Sequence, residues 1–161
     1  MLQGATALKQ RADYTHKYNA KTGRYGWLRL TPAYSVKIVN EIIDSYPQSK
    51  RILDPFCGSG TTALSAAARG IDAVTTDINP FLIWISRAKT RNYTASDIQM
   101  AEAVADILDL TSDPASPPPI HNIERWWGEG ALSFLCRAKA ALCEIEAASE
   151  AAADLHKVAF C

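Results

Sequence analysis

The chain has little of what marks several common protein classes. No apolar stretch is long enough to span a membrane or form the core of a secretory signal, and the opening residues, Met1 to Gln10, are broken by polar ones. The four cysteines, Cys57, Cys136, Cys143 and Cys161, form no CxxC pair and have no histidine cluster at metal-ligand spacing. Neither a zinc site nor a disulfide framework is expected, so the thiols are expected to be reduced. The three histidines, His16, His121 and His156, stand far apart, and no metal or triad role is assigned to them. No internal repeat is visible. What remains is a chain of 161 residues, 48% hydrophobic and 21% charged, in the range of one soluble globular domain with a modest core. That composition excludes disorder and collagen-like structure, and a cytoplasmic location is the default expectation.

Net charge is zero but unevenly spread. Residues 1–51 hold nine Lys and Arg against Asp13, Glu41 and Asp44, a surplus of six, and the remainder is negative by the same amount. Tyr14, Tyr18, Tyr25 and Trp27 interleave with the basic residues. Such an arm, residues 1–30, suits a polyanion, because Lys and Arg displace the counterions of phosphates. An ordinary solvated face suits it equally well.

Residues 1–30 show no sustained period and read as extended or loop structure. From Tyr34 onward, Val36, Val39, Ile43 and Tyr46 recur at helical spacing, with Ser35 as cap and Pro47 as stop. Arg51 to Asp54 reads as a short strand, Phe56 to Gly60 as a tight turn, and Thr61 to Arg69 as a helix closed by Gly70. Ile71 to Asp77 supplies a second strand, and Pro80 opens a helix running to about Arg91. A further helix is expected from Ser96, as cap, to Leu110. Residues 111–119 form a proline-rich linker. Beyond it, Ala131 to about Ala153 reads as one helix, with Cys136 and Cys143 sharing a face suited to core packing. Trp126 and Trp127 read as a core or inter-helix anchor ahead of a base-stacking platform.

The informative stretch is Asp54-Pro55-Phe56-Cys57-Gly58-Ser59-Gly60-Thr61-Thr62, with Asp77 at the end of the next strand. Glycines let the backbone turn sharply and approach a ligand, while the N-terminus of the following helix offers free N–H donors. An acid after the second strand is placed to bind the two hydroxyls of a ribose, so a nucleoside-bearing cofactor is implied. Gly58, Gly60 and Ala63 also satisfy the dinucleotide pattern G-x-G-x-x-A. Asp54, four residues before Gly58, argues against it: a carboxylate there repels a pyrophosphate but can help hold the cationic amino-acid end of S-adenosylmethionine. Cys57 reads as a small packing residue rather than a nucleophile.

Asp54 to Thr62 resembles the S-adenosylmethionine loop of the DNA methyltransferases that modify exocyclic amino groups, adenine N6 or cytosine N4. Thr31-Pro32 resembles the family segment that contacts the methionine end of the cofactor. Asp77-Ile78-Asn79-Pro80 resembles the ribose-binding acid and the residues beside the adenine. The resemblance covers about residues 31–90, and its order matches the permuted arrangement in which the catalytic motif follows later. It implies an α/β, Rossmann-like methyltransferase fold with an incomplete sheet and a helix-rich C-terminal half. The expected organisation is a basic arm at 1–30, the cofactor-binding portion at 31–110, the linker at 111–119 and a helical segment at 120–161. The resemblance implies S-adenosyl-L-methionine as cofactor and DNA as partner, within a restriction-modification setting.

The resemblance also implies a catalytic motif of the form (Asp/Asn/Ser)-Pro-Pro-(aromatic), which holds the target amine of an extruded base and stacks that base on the aromatic ring. Ser116-Pro117-Pro118-Pro119 places a proline at the aromatic position and follows Asp113-Pro114-Ala115 rather than a buried strand. It reads as linker, and no catalytic residue is named. Too few strands are legible for a complete sheet, whose parallel strands need cover on both faces. The chain is therefore expected to be inactive alone, either as a fragment or as a cofactor-binding subunit that needs a partner chain. An enzyme acting on RNA or a small molecule is the other reading.

Overall fold

A computed structural model describes residues 12–31, 33–103, 116–159 and 161. The chain divides into two compact units, residues 1–90 and 91–161.

In the first unit, helix α1 (Val36–Asp44) buries Val36, Val39 and Ile43, as its apolar spacing requires, and Ser35 caps it by accepting from the Lys37 amide. Strands β1 (Arg51–Asp54) and β2 (Asp72–Thr75) pair in parallel, with Arg51 opposite Asp72 and Asp54 opposite Thr75. Helix α2 (Thr61–Ala67) crosses between them and presses Ala63, Ser65 and Ala66 inward. Its end is a Schellman turn: Gly70 takes a left-handed φ of 66°, its amide returns to Ala67 O and the Ile71 amide to Ala66 O. The Arg69 guanidinium bridges α2 to α1 through both carboxylate oxygens of Asp44 and the side chain of Asn40. Helix α3 (Pro80–Thr90) buries Ile85, Ala88 and, unexpectedly, Lys89. Burial pulls the Lys89 ammonium down from its usual 10.5 to about 8.

The segment before α1 departs from the extended or loop structure expected for it. It forms three short 3-10 turns, Ala12–Tyr14, His16–Lys21 and Gly23–Gly26. No apolar period announces them because polar groups hold them. The Asn19 side chain accepts from the Val36 amide and donates to Tyr34 O, and Tyr14 donates to Glu41. Arg24 donates to Lys89 O, Lys89 donates to Tyr25 O, and the Tyr25 and Ser65 hydroxyls meet at 3.1 Å. Part of the arm's charge and aromatic content is therefore spent on internal bonds, while Lys17, Lys21 and Arg29 remain exposed.

In the second unit, α4 (Ala95–Glu102) starts two residues earlier than expected. Its cap is Thr94, not Ser96, because Thr94 and Asp97 form a reciprocal capping box. The part of the expected helix at 104–110 and the linker residues 111–115 lie outside the described residues. The single helix expected over 131–153 is two, α5 (Glu129–Ala148) and α6 (Glu150–Ala159). Ser149, extended at φ −153° and ψ 111°, separates them. Its hydroxyl donates to Asp97 and accepts from the Ala152 amide, a tertiary bond that an Ala-rich run does not advertise. Ile145, Ala152 and Ala153 form the core here, with Met100 and Ala101 against them. Cys136 is buried but Cys143 is exposed, so the pair is not a shared core face. Trp126 is 72% exposed and Trp127 38%, which overturns the anchor reading of the pair. No helix among the described residues is long and apolar enough to cross a membrane.

Candidate functional site

The site is assembled where β1 and β2 end. The strand ladder continues past β1, with the Thr76 amide bonding Asp54 O and the Cys57 amide bonding Thr76 O, so the turn after Asp54 is locked to the end of β2. The Asp54 carboxylate accepts from the Phe56 amide at 3.1 Å. Gly58 and Gly60 then take positive φ values of 50° and 79°, and Gly60 caps α2. Only glycine fits at Gly60, where a Cβ would stand 2.5 Å from Ser86 Oγ and 2.9 Å from Ser86 Cα.

Asp77 ties the two strand ends together. One carboxylate oxygen accepts from the Gly58 amide and the other from the Asn79 amide, each at 2.9 Å. Asn79 in turn accepts from the Phe81 amide and caps the start of α3. The Asp77 carboxylate is thus held beside the glycine turn and keeps further lone pairs for a ligand's hydroxyls. Phe56, on one turn, is 80% exposed, and Ile78, on the other, is fully exposed at 101%. Cys57 is buried, and burial first, then the fields of Asp77 and Asp54, push its thiol up, so it stays neutral and packs rather than attacks.

Beside the turn lies a cavity of about 240 Å³. Asp54, Phe56, Cys57, Gly58, Ser59, Thr61 and Thr62 line it, so most of the expected loop residues are brought to one place. Pro55 and Gly60 shape the turn without lining the cavity, and Ile78, Asn79 and Pro80 follow Asp77 on the neighbouring turn. Thr31 is exposed, 3.4 Å from His16 Nε2, and does not line the cavity; Pro32 lies outside the described residues. Leu30, Ala33 and Tyr34 line it too, although no sequence signal singled them out. Ser86, which closes on Gly60, was equally illegible, because its partner lies in a different element. Among the described residues, Asp54 is the only charged one in the lining. Ser116–Pro119 is exposed and neither helix nor strand, with no aromatic ring in the motif position.

Residues 36–115 match the family model of the D12 class N6 adenine-specific DNA methyltransferases. That stretch, just under half of the chain, is similar to the amino-group DNA methyltransferases. Among curated relatives, the type II methyltransferase M.BsoBI of Geobacillus stearothermophilus is 37% identical over 68 residues, 41% of this chain and 13% of the relative. M.MvaI of Kocuria varians is 28% identical over 95 residues, 59% of this chain and 19% of the relative. M.MjaII of Methanocaldococcus jannaschii is 38% identical over 63 residues, 38% of this chain and 11% of the relative. The chain thus spans less than a fifth of the length of these relatives. No solved structure matches it.

The methyl donor of the family is S-adenosyl-L-methionine, and the residues present fit that group. Among the described residues, the cavity beside the glycine turn offers a carboxylate and no cation, which suits a sulfonium nucleoside and not a diphosphate. When bound, the cofactor supplies an electrophilic methyl group.

Proposed function

We propose that this chain is the S-adenosylmethionine-binding part of a DNA methyltransferase that acts on an exocyclic amino group, within a restriction-modification setting and in the cytoplasm. The observation that carries the reading is the Asp77 carboxylate, bonded to the Gly58 amide, beside a cavity whose only charged residue, among those described, is Asp54. Thr31, Pro32, the turn from Asp54 to Thr62, and Asp77 to Pro80 are its cofactor-binding residues. The finer fold is a Rossmann-like sheet of which β1 and β2 are two strands. An apolar trough of about 420 Å³ between α1 and β1, walled by Ile38, Ile42, Tyr46 and Leu53, supports a larger sheet, because Leu53 is 69% exposed without further cover. The basic arm, the cofactor portion and the helical segment are separate working parts in this reading, and the residues that hold the target base belong to another segment or partner chain.

Titration of the chain with S-adenosylmethionine or its demethylated product tests this. Saturable binding is expected, weakened roughly tenfold or more by Asp77→Ala, the scale of losing hydrogen bonds to a charged group. No binding by a folded sample overturns the reading. The chain alone should leave duplex DNA unmethylated, and turnover would overturn the claim that the catalytic motif lies elsewhere.

A further inference from the structure

Among the described residues, Lys89 is the largest fully buried side chain, 1% exposed near the end of α3. Lysines are almost never buried so deeply without an acid beside them. Among the described residues Lys89 forms no ion pair, and its bond to Tyr25 O is long, at 3.4 Å. Its charged neighbours offer no relief. The Gly23–Gly26 turn brings the Arg24 guanidinium, which donates to Lys89 O and lies 5.4 Å from the Trp27 ring. From α2 comes Ser65, bonded to the Tyr25 hydroxyl, with the Arg69 guanidinium on Ser65 O and on Asp44. Arg87, on α3 itself, is exposed. Burial alone brings the Lys89 ammonium down to about 8.

What covers the ammonium is the segment before α1. Residues 15–30 are held by Asn19, bonded to Tyr34 O and the Val36 amide, and by Arg24 and Tyr25 on Lys89 and Ser65. Their far end carries Leu30, which lines the cavity beside the glycine turn and stands 3.6 Å from where a Cβ on Gly58 would be. Docked, the segment seals a cation from water and returns it one long bond; lifted, it gives the cation back its hydration. We propose that residues 15–30 form a strap that lifts off α2 and α3 while the rest of the first unit stays folded, driven by the uncompensated ammonium of Lys89. Lifting takes Leu30 out of the cavity wall, so the strap gates that cavity whatever ligand it takes. Below about pH 8 Lys89 is charged with the strap down or up, and the penalty against docking is present in full. Between about 8 and the ordinary 10.5 the docked form is the one that sheds the proton, so the strap is held more tightly as pH rises.

Limited trypsin digestion of the full chain tests this, because a protease cuts a folded segment through its open form. Lys17, Lys21 and Arg24 lie in the strap, and Arg69 and Arg87 report opening of the rest of the unit. Rates are taken at pH 7.5 and 9.5, each relative to a free peptide of residues 15–30. At pH 7.5 the strap should be cut at least about tenfold faster than Arg69 or Arg87, and at pH 9.5 its rate should fall about tenfold. Lys89→Met should slow strap cleavage about tenfold or more at pH 7.5 and remove the pH response. Tyr25→Phe, which loses a neutral bond, should speed it a few-fold and keep the pH response, and it serves where the methionine variant fails to fold. A strap cut no faster than Arg69 and Arg87 opens only when the whole unit unfolds, and that result overturns the inference. So does a strap rate indifferent to pH, or one that a folded Lys89→Met chain leaves unchanged.

Discussion

Two glycines show how differently the halves of the chain are held. Gly60, in the first unit, takes φ 79° with Ser86 pressed against the place a side chain would need. Gly130, near the start of α5 in the second unit, has nothing within 4 Å of the same place. The first unit relies on backbone shapes available to few residues, on carboxylates that bond amides across strand ends, and on a buried ammonium. It also leaves Phe56, Leu53 and Ile78 exposed. The second is fixed by helix caps and by alanines, Ala152 and Ala153, small enough to pack helices closely. The glycine turn needs a backbone shape that few residues adopt, whereas the helices of the second unit take their bounds from caps and small side chains.

The largest test of that contrast substitutes alanine at both glycines. Gly60→Ala should destabilise the first unit by roughly 4 kcal/mol, from left-handed strain plus the clash with Ser86. Gly130→Ala should stabilise the second by about 0.5 kcal/mol. Hydrogen exchange read segment by segment checks both, and equal effects of one sign would remove the distinction.

A smaller effect is expected at Lys89. Its folded pKa of about 8 lies below the usual 10.5, so between those values the unfolded chain binds more protons and stability rises with pH. Below about pH 8 the penalty of burying the charge is present in full. Chemical denaturation from pH 7.5 to 10.5 should show a rise on the order of 2 to 3 kcal/mol, absent in Lys89→Met. A flat profile for the unaltered chain would show that the ammonium is solvated.

Smaller again is the cap in the second unit. Bonds from the Thr94 hydroxyl and amide, then from Ser149, hold the Asp97 carboxyl below the usual carboxylate range. Its contribution is therefore present above the ordinary carboxylate pKa and lost as pH falls through the lowered value. Thr94→Ala should lower stability by about 1 kcal/mol at neutral pH and blunt that acid loss, measured by denaturant titration. The smallest readout is chemical: exposed Cys143 should alkylate readily under native conditions, and buried Cys57, with its raised pKa, slowly.

The glycine turn was legible because its requirements are local. Glycines at 58 and 60, an acid on each strand end, and α2 starting at Thr61 follow from residues adjacent in the chain, and the same holds for α1 under its Ser35 cap. The 3-10 turns before α1 were not legible, since Asn19, Arg24 and Tyr25 find their partners in Tyr34, Lys89 and Ser65. Nor was the break at Ser149, whose hydroxyl bonds Asp97, 52 residues away.

Residue order by itself determined the strand, turn and helix around Gly58, and the acids at 54 and 77, because backbone conformation and capping depend on near neighbours. Tertiary structure alone decided that Asp77 bonds the Gly58 amide and that Leu30 lines the cavity beside the turn. Those arrangements join elements remote in the chain, and only burial and packing bring them within bonding distance.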